Sequence, residues 1–233
     1  MKMCFITAAL ACTCSLAAAQ TTGGSSLLDP SRELQLESWL GAGDQTFTTL
    51  FSATPGASSL DFHAAVDGKG ATFALLQVSN PAGQSWLIGG YNPQSWSSTE
   101  GWHLTPTDAQ RSAFVFNLTT ASVYRQVPST YILPSQGLHQ TYNASSLGPV
   151  FGSGADLYVN DKLDTAFSWQ VSYGDPADEG KSIIDRSLNA QLFHIDAFQM
   201  YRVSPVPEVP APAMFAAGLG VLGLVLRRRR RSV

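Results

Sequence analysis

The stretch TFALLQV at residues 72–78, followed by NPAG at 80–83 and SWLIGGY at 85–91, decides the fold class. The first run is β-rich in composition and mostly apolar, and the third is apolar and aromatic. Between them stand the asparagine, proline and glycine typical of a tight turn. Two strand-like runs on either side of such a turn predict a β-hairpin.

Further strand patterns follow this hairpin. In residues 113–119, Phe114, Phe116 and Leu118 alternate with smaller or polar side chains, as in a strand with one buried face. Residues 192–201 carry two apolar stripes, which suit a strand covered on both faces. Shorter strands are predicted over residues 150–151, 157–159 and 167–173. The first two lie on either side of a glycine-rich bend, where Gly152 and Gly154 are expected to adopt turn conformations.

Two short helices are predicted before the strands. One begins at Pro30-Ser31, with Ser31 as its N-cap, and ends at the glycines of residues 41–43. The other begins at Ser58 or Ser59. The pattern as a whole predicts a mainly β chain with minor α content (α+β), arranged as an antiparallel β-sandwich with one or two flanking helices.

The ends of the chain and its centre differ in net charge. With Lys2, five terminal arginines and Glu208 set aside, residues 20–205 carry eight basic and 16 acidic side chains, a net charge of −8. Phosphate binding needs a cationic patch, so this composition argues against a nucleic-acid partner. Charged residues make up only 13% of the chain and hydrophobic residues 44%, which indicates a folded domain.

The N-terminus has the pattern of a secretory signal peptide. Lys2 precedes an apolar run at residues 5–11, and Ala17 and Ala19 occupy the positions that signal peptidase recognises, which predicts a mature N-terminus at Gln20. A buried helix is one alternative, and lipid modification at Cys12 is another. All three cysteines lie in this segment, so the mature chain would contain no thiol or disulfide.

The C-terminus combines a proline-rich motif, an apolar segment and a cationic end. The apolar residues 211–226 would form about 24 Å of helix, slightly short of a hydrocarbon core of about 30 Å. By the positive-inside rule the terminal arginines stay cytoplasmic and the preceding domain lies outside. A permanent single-span anchor is the alternative reading. The cationic end consists of Arg227, Arg228, Arg229, Arg230 and Arg231.

This tail resembles the PEP-CTERM sorting signal of Gram-negative bacteria, which an exosortase processes. The matching motif is Pro207-Glu208-Val209-Pro210, in which Val209 separates Glu208 from the second proline. The resemblance implies an inner-membrane precursor whose mature form is released to the cell surface or the extracellular space. Signal peptidase and exosortase are the partners that it implies.

The central region resembles the TLDc domain, over roughly residues 34–202. The resemblance implies a β-sandwich with flanking helices and no established catalytic centre. It predicts four parts of the chain: a signal peptide (1–19), a flexible linker (20–33), a TLDc-like β-sandwich domain (34–205) and the sorting signal (206–233). The residues that carry the resemblance occur in family order: Trp39, Phe47, Leu50-Phe51, Phe62-His63, DGKGAT (67–72), IGGY (88–91), Trp96-Ser97-Ser98, FVFNL (114–118), GPVFGSGADLYV (148–159) and residues 193–201.

No motif in the central region indicates a catalytic centre, a metal site or a cofactor. Neither glycine-rich segment has the spacing of a phosphate-binding loop. Two oxygen-rich groups are interpreted as acidic, solvated loops, with calcium binding as a minor alternative: Asp156, Asn160, Asp161 and Asp164, and Asp175, Asp178 and Glu179. Glu100 with His103, and Asp61 with His63, are the carboxylate–histidine pairs that sequence spacing permits.

Trp96 and Trp102 are the candidate sugar-contact residues, because both lie in a segment rich in serine, asparagine and glycine. Exposed aromatic rings on a β-sandwich can stack on sugar rings, so extracellular polysaccharide is the candidate ligand. The sequence thus predicts an exported, non-catalytic binding or structural protein of the cell surface or extracellular matrix. A secreted polysaccharide-acting enzyme with two distant carboxylates, and a permanently anchored structural protein, are the alternatives.

Overall fold

A computed structural model describes residues 26–131 and 136–206. Two α-helices and eleven β-strands make up this part of the chain, with short 3-10 turns between some of them. The elements are α1 (Pro30–Leu40), β1 (Gln45–Ser52), α2 (Ser59–Val66), β2 (Thr72–Ser79), β3 (Ser85–Asn92), β4 (Gly101–Leu104), β5 (Phe114–Asn117), β6 (Ser122–Arg125), β7 (His139–Asn143), β8 (Val150–Phe151), β9 (Leu157–Val159), β10 (Thr165–Phe167) and β11 (Phe193–Pro205).

The strands form one continuous, antiparallel hydrogen-bonded path in the order β4-β7-β8-β9-β10-β11-β2-β3-β5-β6. The long strand β11 also pairs with β1, which binds its C-terminal half while β10 binds its first two residues. The prediction of a mainly antiparallel β fold with two helices is confirmed. The finer assignment to a TLDc-like sandwich stays a prediction.

The predicted hairpin is the centre of the fold. β2 and β3 pair along their whole lengths, from Thr72 opposite Asn92 to Ser79 opposite Ser85. Phe73 and Leu75 belong to a core cluster that includes residues of α1, whereas Ala74, Leu76 and Val78 belong to a cluster that includes residues of α2. Because alternate side chains of a strand point to opposite faces, β2 is covered on both sides.

The glycines of β3 are explained by close packing. A Cβ atom on Gly89 would lie 2.0 Å from the carbonyl oxygen of Ala74, and one on Gly90 would lie 2.5 Å from the ring of Phe151. Only glycine permits these approaches of the β3 backbone to its neighbours.

Helix α1 places the start of the domain earlier than predicted. Its N-cap is Asp29 and not Ser31, and the Asp29 carboxylate accepts a hydrogen bond from the Arg32 amide. Leu28 and Leu36 are buried in the core. Residues 26–33, predicted to belong to a flexible linker, therefore pack on the domain and begin its first helix.

The glycine-rich bend between β8 and β9 uses its two glycines in different ways. Gly152 has φ +72°, the left-handed conformation that the turn prediction requires, and a Cβ there would lie 1.9 Å from Oδ2 of Asp156. Gly154 has no positive φ. A Cβ at Gly154 would lie 2.3 Å from Cγ2 of Val171, so close packing, and not a left-handed turn, requires glycine at this position.

The predictions for the ends of the chain concern residues 1–25 and 207–233, which lie outside the described residues. They include the cleavage positions Ala17, Ala19 and Gln20, the motif at residues 207–210 and the arginines at 227–231. Within residues 26–131 and 136–206, no helix is both long and apolar enough to cross a membrane.

Candidate functional site

Trp96 is a core residue, and its prediction as a sugar contact is wrong. The side chain is 2% exposed, and its indole N–H donates to Oγ1 of Thr72 at 2.9 Å. Its ring packs against the rings of Phe62 and Phe151, at centroid distances of 5.8 and 5.5 Å. The indole N–H of a buried tryptophan requires a hydrogen-bond acceptor. Here the acceptor is on β2, so this bond links the segment after β3 to β2.

Trp102, by contrast, lies on the surface. It is 41% exposed and belongs to β4, an edge strand of the sheet. The rings of His139 and Tyr142 flank it, each with a centroid 4.8 Å from the Trp102 ring. Leu104, 47% exposed, lies two residues further along β4 and thus on the same face. We call Glu100, Trp102, Leu104, His139 and Tyr142 the outer aromatic face.

A β-bulge in β7 makes this face possible. Trp102 pairs with Tyr142 and His103 with Thr141, but Leu104 pairs with His139, so Gln140 is the extra residue. Gln140 and Thr141 are both buried, while His139 and Tyr142 are only partly buried. In a regular strand, residues three apart point to opposite faces. The bulge therefore brings His139 and Tyr142 to the same side, around Trp102.

Buried polar residues lie behind the bulge. We call Gln140, Asp156 and Tyr173 the interior hub. The carbonyl oxygen of Gln140 accepts hydrogen bonds from the Gly152 amide at 3.0 Å and from the Tyr173 hydroxyl at 2.7 Å. Its side-chain amide donates to Oδ1 of Asn92 at 3.1 Å. Buried polar contacts thus hold the backbone and side chain of Gln140, the extra residue of the bulge.

Asp156 anchors the hub. It is fully buried, and its Oδ1 accepts from the backbone N–H groups of Val171, Ser172 and Tyr173 at 2.8, 2.9 and 2.8 Å. Burial raises the pKa of Asp156 to about 7, against the opposing effect of these three amide donors. Burial, together with the nearby Asp156 carboxylate, raises the pKa of Tyr173 well above its usual value. Tyr173 therefore remains a neutral hydroxyl donor.

Glu100 gives the outer aromatic face its charge. Its Oε1 accepts a hydrogen bond from the Tyr142 hydroxyl at 2.6 Å, and this bond raises the pKa of Tyr142, with burial and the charge of Glu100 adding to the effect. None of the ion pairs among the described residues includes Glu100. The face thus combines a stacking ring with an exposed acceptor group.

The carboxylate–histidine pairs considered from the sequence are not the ones that the structure forms. Asp61 caps α2 by accepting from the amide and hydroxyl of Ser58. His63 pairs instead with Asp67, with Nδ1 2.7 Å from Oδ1. The other ring nitrogen of His63, Nε2, lies 2.9 Å from the carbonyl oxygen of Ala144, which can only accept. The buried side chain of His63 therefore links α2, through Nε2, to the loop after β7. Glu100 pairs with Tyr142.

The acidic loops use their oxygens internally. The carboxylate of Asp164 accepts from the Asn160 amide and the Thr165 hydroxyl, and that of Asp178 accepts from Lys181 and Arg186. No group of three or more His, Cys, Asp or Glu side chains that could hold a metal ion occurs in the part of the chain that the structure describes.

A groove of about 300 Å³ opens where β1 and β10 diverge along β11. Its lining residues include Asp164, His194, Asp196 and Phe198. Hydrogen bonds from Asn160 and Thr165 lower the pKa of Asp164. Asp196 accepts from the Ser79 hydroxyl at 3.1 Å. A general acid for glycoside hydrolysis requires a raised pKa, so Asp164 lacks the property that this role needs.

Sequence reasoning found Trp102 but missed Glu100, His139 and Tyr142 as its neighbours. Tyr142 and His139 lie about forty residues from Trp102 in the chain, and only strand pairing brings them together. The alternation of Trp102 and Leu104 was the one local signal of an exposed apolar face.

Comparison of the chain with protein-family models and with curated proteins found no match in either case. The TLDc-like and PEP-CTERM resemblances accordingly remain predictions drawn from the motifs themselves.

Proposed function

We propose that the protein is an exported, exosortase-sorted protein of the cell surface or extracellular matrix, whose TLDc-like domain binds extracellular polysaccharide without catalysing a reaction. The observation that carries the binding function is Trp102, whose partly exposed ring contacts two further aromatic rings, those of His139 and Tyr142. A flat apolar ring beside hydrogen-bonding groups suits a sugar, which has an apolar ring face and a polar rim.

The outer aromatic face favours binding over hydrolysis. Glu100 supplies the carboxylate of this face, and the Tyr142 hydroxyl donates a hydrogen bond to it. The pKa of Tyr142 is raised, so this hydroxyl stays a neutral donor. The groove along β11 contains two carboxylates, but the lowered pKa of Asp164 does not suit a proton donor. Sugar binding is therefore proposed at the outer aromatic face, and the polysaccharide-acting enzyme stays the alternative.

Binding to oligosaccharides tests this function. The full-length chain, in a detergent without a sugar headgroup, is titrated with neutral hexasaccharides and measured by calorimetry. We expect Trp102→Ala to weaken binding by about tenfold or more, as removal of a central aromatic contact does at other interfaces. Leu188→Ala is the matched control, since Leu188 is also exposed but lies outside the face. Equal affinities of the wild type and Trp102→Ala would contradict the proposed site.

Sorting is tested separately in the native host. If an exosortase recognises the segment around Glu208, two species should exist: a membrane precursor and a shorter form that lacks the terminal arginines. The arginines cannot cross the bilayer cheaply, at about 2.5–3.5 kcal/mol per charge at its centre. We expect Glu208→Ala to leave mainly the precursor on an immunoblot. An intact C-terminus on all surface-exposed protein would instead favour the permanent anchor.

A further inference from the structure

We propose that the outer aromatic face selects glycans that carry free amino groups, so that its preferred ligand is a polymer of amino sugars in their cationic form. This inference rests on the proposed polysaccharide function and narrows its ligand class. It depends on the charge around Trp102 as well as on the ring itself.

The exposed ring of Trp102 suits a cationic ligand. The face of an indole carries partial negative charge, and tryptophan is the best aromatic partner for a cation within about 6 Å of its centroid. Trp102 contacts two rings of the neighbouring strand β7, those of His139 and Tyr142. The 41% of its surface that remains exposed is therefore a preorganised contact for a sugar that bears an ammonium group.

Glu100 supplies the negative charge of the outer aromatic face. The Tyr142 hydroxyl holds one oxygen of this exposed carboxylate at 2.6 Å, and no ion pair among the described residues involves the group. An ammonium group beside Trp102 would thus find a carboxylate that is already oriented. Charge-assisted hydrogen bonds of this kind are stronger than those between neutral groups.

The negative charge around the outer aromatic face disfavours anionic polysaccharides. Residues 96–110 and 126–161, which include both strands of the face, contain no lysine or arginine, and residues 20–205 carry a net charge of −8. A polymer of uronic acids would approach this surface against like charge and would find no lysine or arginine in these residues, so that His139 is the one basic side chain of the face. A cationic polymer would be attracted, most strongly at low ionic strength.

The experiment compares three hexasaccharides on the full-length chain at mildly acidic pH: one of β-1,4-linked glucosamine, one of N-acetylglucosamine and one of galacturonic acid. We expect the glucosamine hexamer to bind most tightly and the galacturonate hexamer most weakly. In Glu100→Gln the affinity for the glucosamine hexamer should fall about two- to fivefold, while that for the acetylated hexamer stays unchanged. High ionic strength should narrow the difference between these two ligands.

The matched control is Asp44→Asn, which removes the same charge from an exposed position immediately before β1, outside the face. Equal affinities for the two amino-sugar hexamers, with no effect of Glu100→Gln, would overturn the selectivity. If Trp102→Ala still weakened both, the polysaccharide function itself would stand. Tighter binding of galacturonate would also overturn the selectivity. No binding of any hexamer would overturn both proposals.

Discussion

Trp96 and Trp102 are six residues apart in one short segment, yet they lie in opposite environments. Trp96 is enclosed by Phe62 and Phe151, and its N–H is bonded to Thr72. Trp102 stands at the sheet edge with two rings beside it and a large part of its surface in solvent. The interior tryptophan stabilises the fold, whereas the edge tryptophan is available to a ligand. The same division separates the buried carboxylate Asp156 from the exposed Glu100.

The largest expected effect comes from the buried carboxylate. Asp156→Ala would leave the amides of Val171, Ser172 and Tyr173 without their acceptor, at a cost of about 1–3 kcal/mol for each buried group. We expect a destabilisation large enough to prevent folding or to lower the melting temperature by many degrees, measured by thermal denaturation. Asp156→Asn, which keeps an acceptor oxygen, is the control. A melting temperature near that of the wild type in Asp156→Ala would show that the Asp156 carboxylate does not stabilise the segment at residues 171–173.

Trp96→Ala follows in size. Removal of a buried tryptophan from a core usually costs about 3–5 kcal/mol, and here the Thr72 hydroxyl would also lose its indole donor. Chemical denaturation should show this loss in the free energy of unfolding. Trp96→Phe should recover part of it by refilling the space between Phe62 and Phe151. A loss below about 1 kcal/mol in the alanine variant would place Trp96 outside the core.

Asp156 also predicts how stability depends on pH. Its pKa is about 7 in the folded protein against an ordinary value of 3.8, so the folded state binds this proton more tightly. The resulting stabilisation is complete below about pH 4 and is lost as the pH rises through about 7. Relative to Asp156→Asn, the free energy of unfolding of the wild type should fall by on the order of 4 kcal/mol across this window.

Denaturation of both proteins at several pH values measures this difference. Asp61, Asp108, Asp164 and Asp178 have lowered pKa values, so they contribute the opposite slope, in the acid range, to both proteins alike. Parallel pH profiles of the wild type and Asp156→Asn would contradict a raised pKa at this site.

These contrasts also show how far the sequence predicts the structure. The hairpin of β2 and β3 was predictable, because strand composition and turn residues are local signals. The partners of Trp102 were not, because the bulge at Gln140 decides which β7 side chains reach the face, and the carbonyl oxygen of Gln140 accepts a hydrogen bond from Tyr173, more than thirty residues away. The burial of Trp96 likewise depends on Thr72 and Phe151. Local polarity around Trp96 suggested a surface position, but tertiary contacts determined the outcome.

Tyr173 connects the two regions, so its substitution tests whether the interior hub positions the outer face. Tyr173→Phe removes the hydroxyl that donates to the carbonyl oxygen of Gln140 and keeps the ring, so we expect a loss of about 1–2 kcal/mol in stability. Oligosaccharide affinity should also fall, although Tyr173 is buried away from the ligand. If stability falls while affinity is unchanged, the bulge does not depend on this hydroxyl.

The smallest expected effect on stability is that of Trp102→Ala. Trp102 is already 41% exposed and lies on a four-residue edge strand, so its removal uncovers little core surface. The contact with the Tyr142 ring is the main loss, at about 0.5–1.5 kcal/mol for an aromatic pair. We therefore expect the free energy of unfolding to fall by about 1.5 kcal/mol at most, while oligosaccharide binding is largely lost. A destabilisation as large as that of Trp96→Ala would mean that Trp102 is a structural residue, and any loss of binding in that variant would then report on folding and not on a contact with sugar.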